Sequence, residues 1–306
     1  MRLMILVLAL AAGCTEPVGA PLRASPIDMT GRLAYDSLDE ASGLAISNRD
    51  PGLLWAVNDD GPPVVFALGL DGSKRGKVEI RKAGHRDWED AASFVLDGTA
   101  WLLVADIGDN DARRRDVTIY VIEEPAPEAD KTDIAWEIDF SYPDGPRDAE
   151  AAAVDVDNRR ILILSKRDVP PRLYALPLRP GTDGQVMAEF LGVVDSLPQP
   201  TRADVNRAPL TDNWHWQPTG MSIAADNRRA MILTYGGVYI YSRAEAENWA
   251  YALRRPPLGL SLGRLSGAES VALGADGASA FVTTEGRRAP LLRIDLEGVN
   301  GHETEN

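Results

Sequence analysis

The chain has 306 residues, 44% of them hydrophobic, and so is long enough to bury one large core or two ordinary ones. Its 46 acidic residues outnumber the 32 basic ones, giving a formal net charge of −14. A surface this acidic repels phosphate backbones, which excludes generic nucleic-acid binding, and it suits cations.

Residues 1–14 are typical of a secretion signal, with an apolar run at 3–12 that ends near Cys14, the single cysteine of the chain. Residues 10–14 (Leu-Ala-Ala-Gly-Cys) resemble a bacterial lipobox, whose cysteine is lipidated after cleavage. An ordinary signal peptide or a short membrane anchor is the alternative, although a membrane-spanning helix needs about 20 apolar residues. No Asp follows Cys14, so we expect a secreted, lipid-anchored protein on the outer membrane, facing the periplasm or the outside.

Residues 15–29 carry three prolines and little apolar periodicity, which predicts a flexible tether. The folded part is then expected at 30–296, followed by a polar tail at 297–306.

A short pattern recurs along the folded part: an oxygen-bearing residue, one variable residue, an apolar residue, and then Ala or Ser. We call its first positions the ring residues: Ser42, Glu89, Glu150, Thr219 and Glu269. A turn aspartate follows each of them at nearly constant distance, in the order Asp50, Asp97, Asp157, Asp226 and Asp276. Recurrence of this kind indicates a repeat architecture. Asp90, beside Glu89, is outside the pattern, because the other copies have Gly, Ala, Gly and Ser at that position.

Each turn is followed by two apolar segments that predict strands, and most repeats show a further one. The predicted second strands are 53–57, 101–105, 161–164, 231–234 and 281–284, and the third strands are 64–68, 117–121, 172–176, 238–241 and 291–294. The last repeat lacks one strand, which residues 31–38 could supply. This pattern predicts an all-β, five-bladed β-propeller closed by an N-terminal strand, with a short helix within 244–253. A pair of β-sandwiches, or six blades with a degenerate one hidden in 150–218, are the alternatives.

The start of an innermost propeller strand faces the central channel, so the ring residues should surround the axis. Carboxylates that face one another in a channel need protons or a cation between them. Carboxylates and hydroxyls without His or Cys favour calcium over zinc. Alternatively, the glutamates pair with Arg86, Arg147 or water.

The order Ser, Glu, Glu, Thr, Glu, one residue per blade, resembles the central calcium site of the calcium-activated nucleotidase (apyrase) family of five-bladed propellers. Thr219 stands where that family has a second Ser, and the hydroxyl is kept. The resemblance implies a calcium cofactor held by the ring residues, and the nucleotidase activity is not carried over with it. Segments 58–62, 87–90 and 105–110 also resemble secreted bacterial propellers described as phytase-like or esterase-like.

Loops around the ring end should form a polar rim, with aromatic residues between acidic and basic ones. As substrate-facing residues we predict Asp59, Asp87, Trp88, Trp216, Tyr235 and Glu285. In a phosphoester hydrolase, Asp106 or Asp109 would orient water, and Lys166 and Arg167 would share the charge of the transition state. Alternatively, the Asp-rich loops are only turns.

These observations leave two function classes. One is a calcium-binding envelope propeller that binds a partner without catalysis, and the other is a calcium-dependent hydrolase of nucleotides or other phosphoesters. The expected partners are the membrane, through the lipid anchor, and a small phosphorylated molecule or an envelope partner.

Overall fold

The computed structural model describes residues 22–24, 27–181, 185–201, 214–263, 265 and 267–297. The predicted signal with Cys14, residues 15–21, 25 and 26 of the predicted tether, and residues 298–306 of the predicted tail lie outside these ranges. Within them, no helix has both the length and the apolar character needed to cross a membrane.

The regular elements are almost all β-strands, and the sequence repeats define how they group. Before the first repeat come β1 (Leu22–Ala24) and β2 (Ile27–Arg32). The first repeat forms β3 (Ala41–Ile46), β4 (Leu53–Asn58), β5 (Val64–Gly69) and β6 (Lys74–Arg81). The second forms β7 (Trp88–Leu96), β8 (Thr99–Asp106), β9 (Val117–Glu123) and β10 (Lys131–Ser141).

The later repeats follow the same order. The third repeat forms β11 (Ala149–Asp155), β12 (Arg160–Ser165), β13 (Arg172–Pro177), β14 (Val186–Met187) and β15 (Glu189–Val193). The fourth forms β16 (Pro218–Ile223), β17 (Arg229–Thr234), β18 (Gly237–Ser242), α1 (Trp249–Ala252) and β19 (Leu258–Ser261). The fifth forms β20 (Ala268–Leu273), β21 (Ser279–Thr284) and β22 (Pro290–Asp295).

Within a repeat, consecutive long strands pair antiparallel, and tight turns join the first strand to the second. In the β7–β8 turn, Asp97 and Gly98 both have positive φ, 51° and 82°, as a two-residue type I′ hairpin requires. A short parallel pairing of β6 with β10 joins the eight strands of the first two repeats into one sheet, and β14 of the third repeat adds a ninth strand beside β10. The all-β prediction is therefore confirmed, and the predicted second and third strands all lie within observed ones.

An N-terminal strand completes the sheet of the last repeat, but it is not the predicted one. β2 pairs antiparallel with β22, so the added strand is Ile27–Arg32 rather than residues 31–38. Leu33, Tyr35 and Leu38, which suggested the later strand, are buried in the core instead. β1 also pairs, parallel to β19. Residues of the predicted tether thus form β-strands, which cover the free edges of two sheets.

The first strands of the repeats lie side by side around an axis. β3 contacts β7, β7 contacts β11, β11 contacts β16, β16 contacts β20, and β20 contacts β3 again. The apolar core is divided into clusters, and each cluster fills the space between two consecutive repeats. Antiparallel sheets packed face to face around an axis form a β-propeller.

The helix predicted within residues 244–253 is a single turn, Trp249–Ala252. Asn248 caps it, since its side-chain oxygen accepts from the backbone N–H of Tyr251 at 2.8 Å. Trp249 is buried and donates from Nε1 to the side chain of Asn227 at 2.9 Å. The turn therefore packs into the apolar cluster between the third and fourth repeats.

Candidate axial cation site

The ring residues share one backbone feature. In every first strand, the pairing with the second strand skips one residue, as between Ala41 and Gly43 or between Trp88 and Asp90. The skipped residue is the ring residue in all five strands. A β-bulge leaves its extra residue out of the ladder and redirects the side chain. The repeated sequence pattern therefore marks a repeated bulge.

The two hydroxyl ring residues connect neighbouring first strands. Ser42 Oγ donates to the carbonyl of Trp88 at 2.5 Å, and Thr219 Oγ1 donates to the carbonyl of Ala268 at 2.9 Å. Ser270 continues the series with a 2.7 Å bond from its Oγ to the carbonyl of Ala41. Because a hydroxyl that donates keeps its lone pairs, Ser42 and Thr219 can still accept or ligate.

The acidic ring residues belong to a larger group of carboxylates, which we call the axial cluster: Asp59, Asp87, Glu89, Asp148, Glu150 and Glu269. Among the described residues, oxygens of Asp59, Asp87 and Glu89 lie within 4.8 Å of one another, and so do oxygens of Glu89, Asp148 and Glu150. Glu89 is common to both groups. Two predicted ring ligands, Glu89 and Glu150, thus come together, and acids from the loops join them.

Burial and mutual repulsion shift the carboxyl groups toward the protonated form. Burial, and then the charges of Glu150, Asp87 and Asp59, raise the pKa of Glu89 well above its usual range. Burial and a carboxyl–carboxyl hydrogen bond with Asp87 raise the pKa of Asp59 to about 7. Burial likewise raises the pKa of Glu269 to about 7. A proton or a cation must therefore lie between these groups near neutral pH.

Lys166 supplies one positive charge to the cluster. Its side chain is 5% exposed, its Nζ is ion-paired with Glu150 Oε1, and Nζ donates to the hydroxyl of Tyr235 at 3.1 Å. Burial opposes the charged form, yet the carboxylates of Glu150, Glu269 and Glu89 raise the pKa of Lys166 above its usual value. Lys166, predicted at the rim to contact a substrate, is instead buried as the counter-ion of Glu150.

Arg147, considered as a partner of the ring glutamates, pairs with other carboxylates, and Arg167 pairs with Asp148 of the axial cluster. Arg147 donates to Asp168 at 2.8 Å and to Asp144 at 3.0 Å. Arg167, predicted to stabilise a transition state, donates from Nε to Asp148 Oδ2 at 2.6 Å. The structure therefore provides Lys166, and not Arg147, as the counter-ion of a ring glutamate.

Backbone approaches the Asp87–Glu89 side of the cluster very closely. A Cβ placed on Gly108 would lie 2.3 Å from Asp87 Cγ and 2.3 Å from Glu89 Oε1. Only glycine fits at this position while the two carboxylates keep their places. Gly108 thus closes one wall of the space that Asp59, Asp87 and Glu89 share.

The two predicted water-orienting acids are buried and hold the β8–β9 loop. Asp106 Oδ2 accepts from the backbone N–H of Arg86 at 3.0 Å, and Oδ1 lies 2.7 Å from Nη2 of Arg114. Asp109 accepts from the backbone N–H groups of Arg113 and Arg114 at 2.9 and 2.7 Å. Both carboxylates thus have partners in the chain around this loop, and their role in orienting water stays a prediction.

The predicted stacking tryptophans are also buried. Trp88 is 0% exposed, lies 4.2 Å from the ring of His85, and donates from Nε1 to the carbonyl of Gly84 at 3.1 Å. Trp216 is 1% exposed and stacks on Trp214 at 4.7 Å. Both rings are therefore packed in the protein interior, and a contact of either with a substrate stays a prediction.

The other residues predicted to face a substrate belong to the axial cluster or interact with it. Asp59 and Asp87 are half-buried members of it. Tyr235 is half-buried, and its hydroxyl hydrogen-bonds Glu269. Glu285 is exposed, and its charge contributes to the raised pKa of Glu269.

Asp90, which sequence comparison among the repeats set aside, lies at the centre of the first strands. It is 0% exposed, and its Oδ2 accepts from the backbone N–H groups of Ala152 at 2.8 Å and Met221 at 3.0 Å. Oδ1 accepts from the N–H of Ala91 at 2.8 Å. One carboxylate thus joins the second, third and fourth repeats. The linking role of Asp90 is visible only from its hydrogen bonds to donors in other repeats, and the spacing of residues in the sequence does not indicate it.

Comparisons with known proteins leave the family open. No protein-family model matches the chain, and the search of curated proteins finds no match. Among solved structures, the PQQ-bound aldose sugar dehydrogenase from Streptomyces coelicolor matches over 90% of this chain and 99% of its own, with 12% identity and a TM-score of 0.48. The comparisons therefore give no support to the resemblance to calcium-activated nucleotidases.

Proposed function

We propose that the protein is a five-bladed β-propeller that binds calcium at its axial cluster and acts as a non-enzymatic binding module of the bacterial cell envelope. The blade count is supported by the first strands, since β3, β7, β11, β16 and β20 follow one another in a closed circle. It is also supported by the core clusters, each of which lies between two consecutive repeats.

The observation that carries the calcium proposal is the close approach of Asp59, Asp87 and Glu89. Their oxygens lie within 4.8 Å of one another, about the spacing of ligands around one ion at about 2.4 Å. All donors are hard oxygens, which suits calcium rather than zinc. The wall formed by Gly108 leaves no room for a side chain between Asp87 and Glu89.

Lys166 determines which side of the axial cluster the ion occupies. Its ammonium group already neutralises Glu150, and two cations bound to the same carboxylate would repel each other. The Asp59–Asp87–Glu89 group has no such lysine or arginine among the ion pairs of the described residues. We therefore place the ion at Asp59, Asp87 and Glu89 rather than at the centre of all five ring residues.

The remaining parts of the proposal concern location and partner. Residues 1–14 would direct export, and lipidation at Cys14 would hold the protein at the outer membrane, facing the periplasm or the outside. Bound calcium would fix the loops that carry Asp59 and Asp87, and these loops would present the surface that binds an envelope partner or a small phosphorylated molecule.

A calcium-dependent phosphoester hydrolase is the second candidate, and Glu269 is the observation that favours it. Its pKa is raised to about 7 by burial, and a carboxylate with a pKa near the working pH is suited to general-base catalysis. Phosphate release from nucleoside triphosphates, diphosphates and simple phosphoesters, measured with calcium and with chelator, separates the two candidates. Release that requires both calcium and Glu269 would establish the hydrolase.

Calcium binding itself is tested with Glu89→Gln. We expect the wild type to gain thermal stability when calcium replaces chelator and to give a saturable signal in calorimetric titration. Glu89→Gln removes a charge from the crowded cluster, so it should be at least as stable as the wild type in chelator, yet gain nothing from calcium. Glu137→Gln, at an exposed position of β10, is the matched control and should behave like the wild type. If the thermal stability of the wild type is the same in calcium and in chelator, the proposal is refuted.

A further inference from the structure

A cavity of about 360 Å³ adjoins the Asp59–Asp87–Glu89 group. Asp87 lines both the cavity and the proposed cation site. Arg86, Arg113 and Arg114 also line it, although the chain as a whole has a net charge of −14. Asp109, Asn110 and Asp111 line the cavity too. Because Asp111 pairs with Arg113, the guanidinium groups that an anion could contact there are those of Arg86 and Arg114.

Arg114 is held in a defined position at this cavity. Its side chain is 8% exposed, its Nη1 donates to the carbonyl of Gly108 at 2.8 Å, and its Nη2 lies 2.7 Å from Asp106 Oδ1. The loop before it is fixed by Asp109, which accepts from the N–H groups of Arg113 and Arg114. The Nε of Arg114 and the neighbouring Oδ1 of Asp106 are both buried without a hydrogen-bond partner among the described residues. An oxyanion that reaches Nε would satisfy this unused donor.

Asp106 positions the second arginine as well. Its Oδ2 accepts from the backbone N–H of Arg86 at 3.0 Å, so a single carboxylate fixes both arginine-bearing segments. The Arg86 residue is exposed and lines the cavity, and its guanidinium forms no ion pair among those found in the described ranges. Arg113 is less available, since it pairs with Asp111 at 3.2 Å on the surface.

We propose that this cavity binds the phosphate group of a small phosphate ester, with donors from Arg86 and the Nε of Arg114. The inference deepens the proposed function, on which it rests in one respect: the calcium site at Asp87 would add positive charge beside the phosphate. A phosphate dianion gains more than a monovalent carboxylate from two arginines next to a divalent cation. The phosphate group thereby orients its ester substituent toward the mouth of the channel.

The test is calorimetric titration of the full chain with phenyl phosphate and with benzoate, which share a ring and differ in the anionic group. In calcium, phenyl phosphate should bind more tightly than benzoate. Arg86→Gln should weaken phenyl phosphate about tenfold or more, since it removes a charged hydrogen-bond donor. Arg115→Gln, at an exposed neighbour that does not line the cavity, should change it less than about twofold.

Arg114→Lys keeps the charge but loses the Nε donor, and is expected to weaken phenyl phosphate to a similar extent. Because Arg114 is buried, its replacement can also unfold the protein, so the inference is judged on the Arg86→Gln variant. Equal effects of Arg86→Gln and Arg115→Gln, no effect of Arg86→Gln, or benzoate binding as tightly as phenyl phosphate would each overturn the inference. If calcium gives no signal but phenyl phosphate still binds in chelator and depends on Arg86, the proposed function fails and the anion site stands.

Discussion

Replacement of Asp90 by Asn should destabilise the propeller without any effect on its ligands. The Asp90 carboxylate is fully buried and accepts three backbone N–H groups from three repeats. Burial raises the pKa of Asp90 well above its usual range, and the three donors oppose that rise. All three partners are donors, so they favour the ionised carboxylate, which accepts at both oxygens.

The magnitude follows from what an amide can replace. If the side-chain oxygen of the Asp90→Asn variant takes the place of Oδ2, the bonds to Ala152 and Met221 survive as weaker neutral ones, and the amide NH2 faces the N–H of Ala91. Loss of one charge-assisted bond and weakening of two others is expected to cost about 2–4 kcal/mol. Asp90→Ala, which leaves three buried N–H groups unpaired, should cost more, on the order of 5 kcal/mol.

Urea denaturation at neutral pH measures both variants. The matched control is Asp97→Asn, whose carboxylate is 62% exposed in a surface pair with Arg159, and it should change the free energy of unfolding by less than about 1 kcal/mol. If Asp90→Asn is as stable as the wild type, the carboxyl is protonated in the folded state and the account of its three acceptor bonds is refuted.

Three further predictions concern the axial cluster. The first concerns pH. Because the carboxyl pKa values are raised, the calcium-free folded state holds more protons than the unfolded state between about pH 4 and pH 7. The stability that these protonated carboxyl groups contribute is therefore present at low pH and is lost as pH rises through that window. Asp59, with its pKa of about 7, should account for part of this loss, so Asp59→Asn should lose less stability than the wild type over the same pH range in chelator. Calcium affinity should rise from about pH 5 to pH 8, because the ion displaces protons. A calcium affinity that does not change with pH would contradict the presence of protons within the axial cluster. The second concerns Gly108→Ala, whose methyl group would lie 2.3 Å from atoms of Asp87 and Glu89. This variant should bind calcium at least about tenfold more weakly than the wild type, whereas Gly181→Ala, whose methyl group would meet open space, should bind it equally well. Equal calcium affinities of Gly108→Ala and the wild type in isothermal titration would show that the close approach of Gly108 is not needed for binding. The third is a double-mutant cycle. Lys166→Gln leaves Glu150 buried and unpaired, which should lower the free energy of unfolding by about 3–5 kcal/mol, so Lys166→Gln/Glu150→Gln should be more stable than Lys166→Gln alone. If the two substitutions have additive effects on the free energy of unfolding in urea, Lys166 and Glu150 are not paired.

The sequence was sufficient for the repeated architecture because each repeat carries its own local signals. Turn aspartates, apolar strands and the ring position recur together, and each depends on neighbours within a few residues. The closing strand was misplaced because residues 27–32 have little alternation of polar and apolar side chains, with Asp28 and Met29 exposed and no position of the strand fully buried. β2 forms because the free edge of β22 needs a partner, and such a requirement comes from the other end of the chain.

The sequence indicates which residues approach the axis but not how they are arranged there. The structure has Glu89 and Glu150 close together, and both occupy the bulge position that the sequence pattern marks in each first strand. Lys166 looked like a rim residue because sequence cannot show that a long side chain turns inward toward Glu150. Asp90 looked irrelevant because its partners, the backbone N–H groups of Ala152 and Met221, carry no sequence signal at all.

The central claim is that one calcium ion is bound by Asp59, Asp87 and Glu89, with Lys166 still paired to Glu150. Anomalous diffraction from crystals of the protein grown in calcium locates the ion directly. The account predicts a calcium peak within about 2.3–2.6 Å of oxygens from all three residues, with the Lys166–Glu150 contact intact. A peak midway between Glu89, Glu150 and Glu269, with Lys166 displaced, would contradict this placement, and absence of any axial peak at saturating calcium would contradict the cation site itself.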